Sequence, residues 1–334
     1  MKTMRCIRIE QYGGPETLRH LSIPIPSPRE DEVLVRLRYA GVNFMDVHTR
    51  QGKYASSATY KVGLPCTLGM EGAGEVVSVG DKVAALVPGD RVAWCISWGS
   101  YAEYAVVPAS RLAKLPAGLG FDMAAAAMFH GCTAHYLAHD VARLGPDTHC
   151  AILAASGGIG QLLIQLAKRA GARVTAVTST PEKAAIAKAR GADRVCLYQD
   201  GGFVHDIRED THGAGADVVF DPLGQATLRH SFQATRKRGL VVNFGAVSGP
   251  LNNLDPLELG EAGSLFLTRP RLADYLSSQQ TTQRRADDVF GAILGGELDI
   301  HIGAHYAPAE VERAHAALES RTTLAKPLLD IGRF

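Results

Sequence analysis

The sequence predicts an α/β chain of two domains, one β-rich and split into two pieces, the other a doubly wound parallel sheet inserted into it. Three observations carry this expectation. Short β-type runs rich in Pro and Gly fill residues 1–125. From 128 to 268, apolar runs alternate with helix-like segments. A strand, a glycine cluster and a helix follow one another near the start of that second region. At 334 residues the chain is also too long for one typical core, so two domains are expected on size alone.

In the first region the runs VLVRLRYAGV, EGAGEVVSVG and YAEYAVV are separated by turn residues such as Pro88-Gly89-Asp90. They define the first piece of the β-rich domain, 1–127. In the second region the runs CAILAA, VTAV, RVCL, ADVVF, LVVNFG and SLFLT are almost continuously apolar. Strands of that kind, alternating with helices, belong to a parallel sheet covered on both faces. They define an inserted domain, 128–268. The remainder, 269–334, holds a helix-like stretch, the strand-like HIGAHY, the helix AEVERAHAALES and a last apolar run, KPLLDI. It is too short to bury a core alone and is expected to complete the first domain.

Composition narrows the function. Hydrophobic residues make up 46% and charged residues 21%, an ordinary globular balance. The formal net charge of +1 gives no field to draw in nucleic acid or an anionic membrane as the main partner. No apolar run approaches the ~18 residues that span a bilayer, and MKTMRCIRIEQYGG reads as a strand and turn rather than a signal peptide. Cys6, Cys66, Cys95, Cys132, Cys150 and Cys196 are scattered without CxxC spacing. Reduced thiols and a cytoplasmic location are the expectation.

The most informative stretch is CAILAASGGIGQLLIQLAKRAGA. The strand Cys150–Ala154 runs through Ala155-Ser156-Gly157-Gly158-Ile159-Gly160 into a helix whose Ile159, Leu162, Leu163 and Leu166 share one face. Gly157 lets the backbone approach a diphosphate, Gly160 allows close helix–sheet packing, and the helix start offers amide donors and partial positive charge. Ala155 stands where the first glycine of the usual GxGxxG would be. Gly171 is placed to end the helix.

The next strand selects the cofactor. NAD-binding domains carry a carboxylate at its end for the ribose 2′-hydroxyl. Here Arg173–Thr178 is followed by Ser179-Thr180-Pro181-Glu182-Lys183, with Thr180 as helix cap and Pro181 at the first helical position. Ser179 and Lys183 suit a 2′-phosphate, so NADPH is expected, with Glu182 as an exposed first-turn residue.

Taken with YGGPETL (12–18), GVNFMD (41–46), GMEGAGEVVSVG (69–80), GDRV (89–92), GADVVFDPLG (215–224), SLFLTRP (264–270) and RAHAALESRTTLAKPLL (313–329), the chain resembles the zinc-independent, ζ-crystallin-like quinone oxidoreductases of the medium-chain dehydrogenase/reductase superfamily. The resemblance implies a GroES-like catalytic domain interrupted by a Rossmann domain. It implies that Gly157, Gly158 and Ile159 meet the diphosphate, Ser179 and Lys183 the 2′-phosphate, and Tyr198 the adenosine, with Phe244, Gly245, Leu267 and Arg321 along the rest of NADPH. It also implies that Asn43, Asp46, His48 and Tyr54 edge the acceptor site. Tyr54 and His48 are then the candidate hydrogen-bond or proton donors and Asn43 orients nicotinamide or substrate, while Asp46 reads as a cap. A homodimer formed through Ser264–Arg269 is implied as well.

Zinc-dependent relatives carry a cysteine near Phe44–Asp46, a histidine where Met70 stands, and a cysteine-rich lobe after GDRV. Neither a structural nor a catalytic ligand set is visible here, so no metal is expected. Reduction of a polarised acceptor fits better than alcohol oxidation. His135 with His139 and His301 with His305 lack a third ligand at sensible spacing and read as surface pairs. Leu153 and Pro222-Leu223 depart from the family's usual His and Ser-Val. The substrate is expected to be a quinone or enone. Alternatives are an enoyl-thioester or haloacrylate-type reductase, or a cofactor-binding protein with a structural or RNA-binding role, against which the absence of a basic aromatic stripe counts.

Overall fold

The computed structural model describes residues 2–199, 201–320 and 325–334. The chain divides into two compact units, residues 1–132 with 275–334 and residues 133–274.

Unit 1 begins with β1 (Thr3–Ile9), β2 (Arg19–Pro24), β3 (Glu32–Gly41) and the short helix α1 (Phe44–Arg50). It continues through β4 (Cys66–Thr67), β5 (Glu71–Val79), β6 (Arg91–Cys95), β7 (Tyr104–Pro108) and β8 (Leu112–Lys114) to α2 (Phe121–Tyr136). The long strands are mostly buried, with Arg36 and Arg38 on β3 and Val77 on β5 as the exposed positions. Val33, Val35, Leu37, Val92, Trp94 and Leu112 fill that core.

Unit 2 carries β9 (His149–Leu153), α3 (Gly158–Arg169), β10 (Arg173–Thr178), α4 (Pro181–Ala189), β11 (Arg194–Leu197), α5 (Phe203–Asp210), β12 (Ala216–Asp221), α6 (Leu228–Ala234), β13 (Thr235–Asn243), α7 (Pro256–Glu261) and β14 (Phe266–Thr268). All neighbouring strands pair in parallel, in the order β11-β10-β9-β12-β13-β14. Such a sheet has its topological switch beside β9, where the chain reverses direction across the sheet, and ligands gather outside the carboxyl ends of its strands. Every residue of β9 after His149 is buried, as a central strand covered on both faces requires.

The chain then forms α8 (Leu272–Tyr275) and returns to unit 1 with α9 (Gln279–Leu294), β15 (Ile302–Tyr306), α10 (Val311–Glu319) and β16 (Lys326–Asp330). Strand β16 pairs with β3 and with β15, giving the order β15-β16-β3-β5-β6-β8 with β7 also on β3. The tail therefore supplies two strands of the first sheet, and its Val311, Ala314 and Leu329 join the same core.

Candidate active site

In unit 2 the turn from β9 to α3 forms the glycine cradle. Gly157 is the N-cap of α3, in extended backbone, with no side chain capping the helix start among the described residues. The first-turn amides are thus left to an outside acceptor. The two expected glycine roles separate in the geometry. A Cβ on Gly160 would lie 2.5 Å from the Ala154 carbonyl oxygen and 2.8 Å from Ala155 Cα, so strand and helix close on that position. A Cβ on Gly157 would meet only the Ala154 oxygen, at 3.2 Å. Ala154, rather than the alanine in the missing first-glycine position, takes the left-handed backbone, with φ of 50°. Ala155 is fully buried. The cradle fits a diphosphate.

At the end of β10, Thr180 caps α4 by accepting from the Lys183 amide, and Lys183 Nζ donates to Ser179 Oγ at 3.2 Å. Ser179 is exposed, so cation and hydroxyl stand together at the strand end, ready for a phosphate. Glu182 lies on the solvent side, its carboxyl held below the usual range by a hydrogen bond from Thr180. Tyr198, just after β11, is half-buried and donates its hydroxyl to the Ala226 carbonyl at 3.3 Å. Phe244 and Gly245 follow β13, where a Cβ on Gly245 would sit 2.3 Å from the Pro222 carbonyl oxygen. Leu267 lies half-buried on β14. Arg321 falls outside the described residues.

In unit 1 the acceptor-side residues sit on and after α1. His48 Nδ1 is 3.4 Å from the Tyr54 hydroxyl, and the two rings meet edge to face with centroids 5.9 Å apart. Both are half-buried. The rings continue through Tyr60, 5.7 Å from Tyr54, to Trp98, 6.4 Å further on. Trp98 Nε1 donates to Thr49 Oγ1 of α1 at 3.3 Å, which fixes the indole. Burial, with Lys53 assisting, lowers the His48 pKa to about 4, so the ring is neutral at physiological pH.

Asn43 faces inward. Its Oδ1 accepts from Lys326 Nζ at 2.5 Å and its Nδ2 donates to Glu71 Oε2 at 2.9 Å, with only 2% of the residue exposed. Both ends of the amide are engaged by the protein itself. Asp46 is fully buried and does cap: its carboxylate accepts from the Asn43 amide at 2.8 Å, the Met70 amide at 2.9 Å and the Tyr101 hydroxyl at 3.3 Å. Desolvation nevertheless pushes its pKa up to about 7. Tyr101 in turn meets His315 Nε2 at 3.2 Å.

Four of these groups, Glu71, Tyr101, His315 and Lys326, escape a reading of the sequence. The available signal is a charged residue inside an otherwise apolar strand, Glu71 in GMEGAG and Lys326 before PLL. Met70 is fully buried. Among the described residues no three His, Cys, Asp or Glu side chains come together as a metal site. The His135 and His139 rings meet at a tilt, with centroids 4.5 Å apart, where α2 passes into a π-helical turn, and His305 packs on Tyr39.

Comparison with known proteins places this architecture. Residues 29–117 match a family described as the alcohol dehydrogenase GroES-like domain, and residues 158–285 match one described as zinc-binding dehydrogenase. A quinone oxidoreductase of Pseudomonas aeruginosa is 37% identical over 97% of this chain and 98% of its own. A 2-haloacrylate reductase of a Burkholderia species is 33% identical over 96% of this chain and 97% of its own. The crystal structure of Escherichia coli quinone oxidoreductase complexed with NADPH superposes with a TM-score of 0.92 at 33% identity, covering 98% of this chain and 99% of that one. The sheet order, the glycine cradle and these full-length likenesses agree: the chain belongs to the quinone oxidoreductase family of the medium-chain dehydrogenase/reductase superfamily.

Proposed function

We propose that this protein is an NADPH-dependent reductase that transfers hydride to a quinone or an activated alkene. The observation that carries the reading is the pairing of Lys183 Nζ with Ser179 Oγ at the end of β10, beside an uncapped helix start on α3. Gly158 and Ile159 would hold the diphosphate through backbone amides, Gly157 would leave room for its approach, and Ser179 and Lys183 would hold the 2′-phosphate. Tyr198 would lie along the adenosine, and Phe244, Gly245 and Leu267 would line the remainder. NADPH supplies the hydride.

The residues of unit 1 handle the proton. As the acceptor is reduced, negative charge develops on its carbonyl oxygen, and the Tyr54 hydroxyl donates a hydrogen bond or proton there. Neutral His48 takes part through its contact with Tyr54. With both amide atoms of Asn43 engaged, its role is to hold the start of α1 rather than to bind nicotinamide. The relative active on 2-haloacrylate supports an activated alkene as a second acceptor class, since the same donor serves either.

Two finer readings accompany this one. The protein acts in the cytoplasm. It forms a homodimer through β14, an outer strand whose Phe266 is 64% exposed and which its own symmetry mate can cover. A stable monomer in light scattering at micromolar concentration contradicts the dimer. The activity itself is tested by following NADPH oxidation against quinones, enones, 2-haloacrylate and enoyl-CoA esters. Oxidation by none of them contradicts the proposal.

A further inference from the structure

We propose that Lys326 is a positioning residue for acceptor reduction, acting through Asn43 on the helix that carries His48; this rests on the reductase reading above. Helix α1 has seven residues, too few to hold a fixed attitude alone. Its start is tied down from three directions. Lys326 Nζ, from β16, donates to Asn43 Oδ1 at 2.5 Å and to Glu71 Oε2 at 2.7 Å. Glu71, at the head of β5, also receives Asn43 Nδ2 at 2.9 Å on that same oxygen. Its other oxygen accepts the Phe129 amide of α2 at 2.5 Å.

The space for this carboxylate is built in. A Cβ at Gly41 would lie 2.2 Å from Glu71 Oε2, so a glycine ends β3 where the side chain passes. Lys326 and Glu71 are 2% and 0% exposed along their side chains. Removing both charges from water is expensive, and a well-packed apolar pair of similar volume often serves stability as well or better. What an apolar pair cannot do is orient an amide. Lys326 supplies the donor and Glu71 the acceptor, so the Asn43 side chain has one setting, and with it the first turn of α1.

His48 stands five residues further along the chain, near the end of a helix that Asp46 also holds at its start and that Thr49 and Arg50 hold near its end through Trp98 and Glu319. Its 3.4 Å approach to the Tyr54 hydroxyl is already long for a hydrogen bond, so a small rotation of α1 changes it. Lys326 therefore sets the donor geometry at Tyr54 without touching the acceptor.

The test uses the full chain loaded with NADPH. Lys326→Met alone strands a buried carboxylate, so the informative variant is Lys326→Met with Glu71→Gln. It should keep NADPH affinity and acceptor KM within roughly threefold while kcat falls about tenfold, the scale of a modest misplacement of a catalytic group. Tyr54→Phe should then lose much of its effect in that background, a non-additivity that a purely structural role does not produce. Asn43→Ala, which leaves the ion pair whole, should show the same kcat loss and the same coupling to Tyr54, and it serves if the charge-free pair fails to fold. Wild-type kcat in either folded variant, or full additivity with Tyr54→Phe, overturns the proposal. An unmodified protein that reduces no acceptor overturns the reductase reading instead.

Discussion

Gly157 and Gly160 stand three residues apart and do opposite jobs, which a pair of alanine substitutions separates. At Gly160 the added methyl meets three backbone atoms, the Ala154 oxygen at 2.5 Å and Ala155 Cα and oxygen at 2.8 Å, none of which can rotate away. The helix must lift from β9. Overpacking of this kind costs about 1–3 kcal/mol, which lowers the melting temperature by roughly 5 °C. At Gly157 φ is −73°, open to any residue, and the methyl points where only the Ala154 oxygen is close. Loss of unfolded-chain freedom offsets the poorer cap, so stability stays within about 1 kcal/mol. The methyl does occupy the diphosphate's approach, and NADPH affinity should fall at least tenfold, about 1.4 kcal/mol. Calorimetry without nucleotide reads the first effect and fluorescence titration with NADPH the second. If Gly157→Ala destabilises as much as Gly160→Ala, or Gly160→Ala leaves the melting temperature unchanged, the division of roles is wrong.

Three further outcomes follow from named groups. Lys183→Ala should weaken NADPH by about tenfold or more, the worth of one charge-assisted hydrogen bond, and NADH far less; equal losses remove Lys183 from the 2′-phosphate. Because burial lowers the His48 pKa to about 4, kcat should show no inflection near pH 6.5, and one that disappears in His48→Asn contradicts a neutral ring. Asp46 has a folded pKa of about 7 against 3.8 unfolded, so its contribution to stability is complete below about pH 4 and is lost as pH rises to 7. Asp46→Asn should therefore gain on the wild type in urea unfolding across that window, and a parallel pair of curves contradicts the assignment.

The parts of this molecule that sequence exposes are those decided locally. The β9–α3 unit is legible because an apolar strand, small residues and a 3.6-residue period lie within one short stretch, and Gly171 takes a φ of 81° beyond the helix end, as expected of it. Thr180 and Pro181 announce the start of α4 for the same reason. What stays hidden is held by long-range contacts. Lys326 lies 283 residues from Asn43 and 255 from Glu71, so no spacing rule links them, and their shared burial appears only once β16 has paired with β3. Without that knowledge Asn43 reads as a ligand-binding amide, whereas its two polar atoms are already engaged. The cradle teaches the same lesson on a smaller scale. The missing glycine is visible at Ala155, but the left-handed residue is Ala154, because the turn closes through the Gly157 amide onto the Ala154 oxygen.

We propose that this chain moves hydride from NADPH to a polarised acceptor, with Tyr54 assisting the oxygen. Single-turnover mixing of the NADPH-loaded protein with a quinone and, separately, with an enone addresses it directly. The nicotinamide absorbance should decay in one phase on adding either acceptor. Tyr54→Phe should slow the enone reaction about a hundredfold while changing NADPH affinity little, the range expected for lost general-acid assistance. Absorbance that persists with both acceptors contradicts the claim, and undiminished rates in Tyr54→Phe leave hydride transfer standing but assign the proton to water.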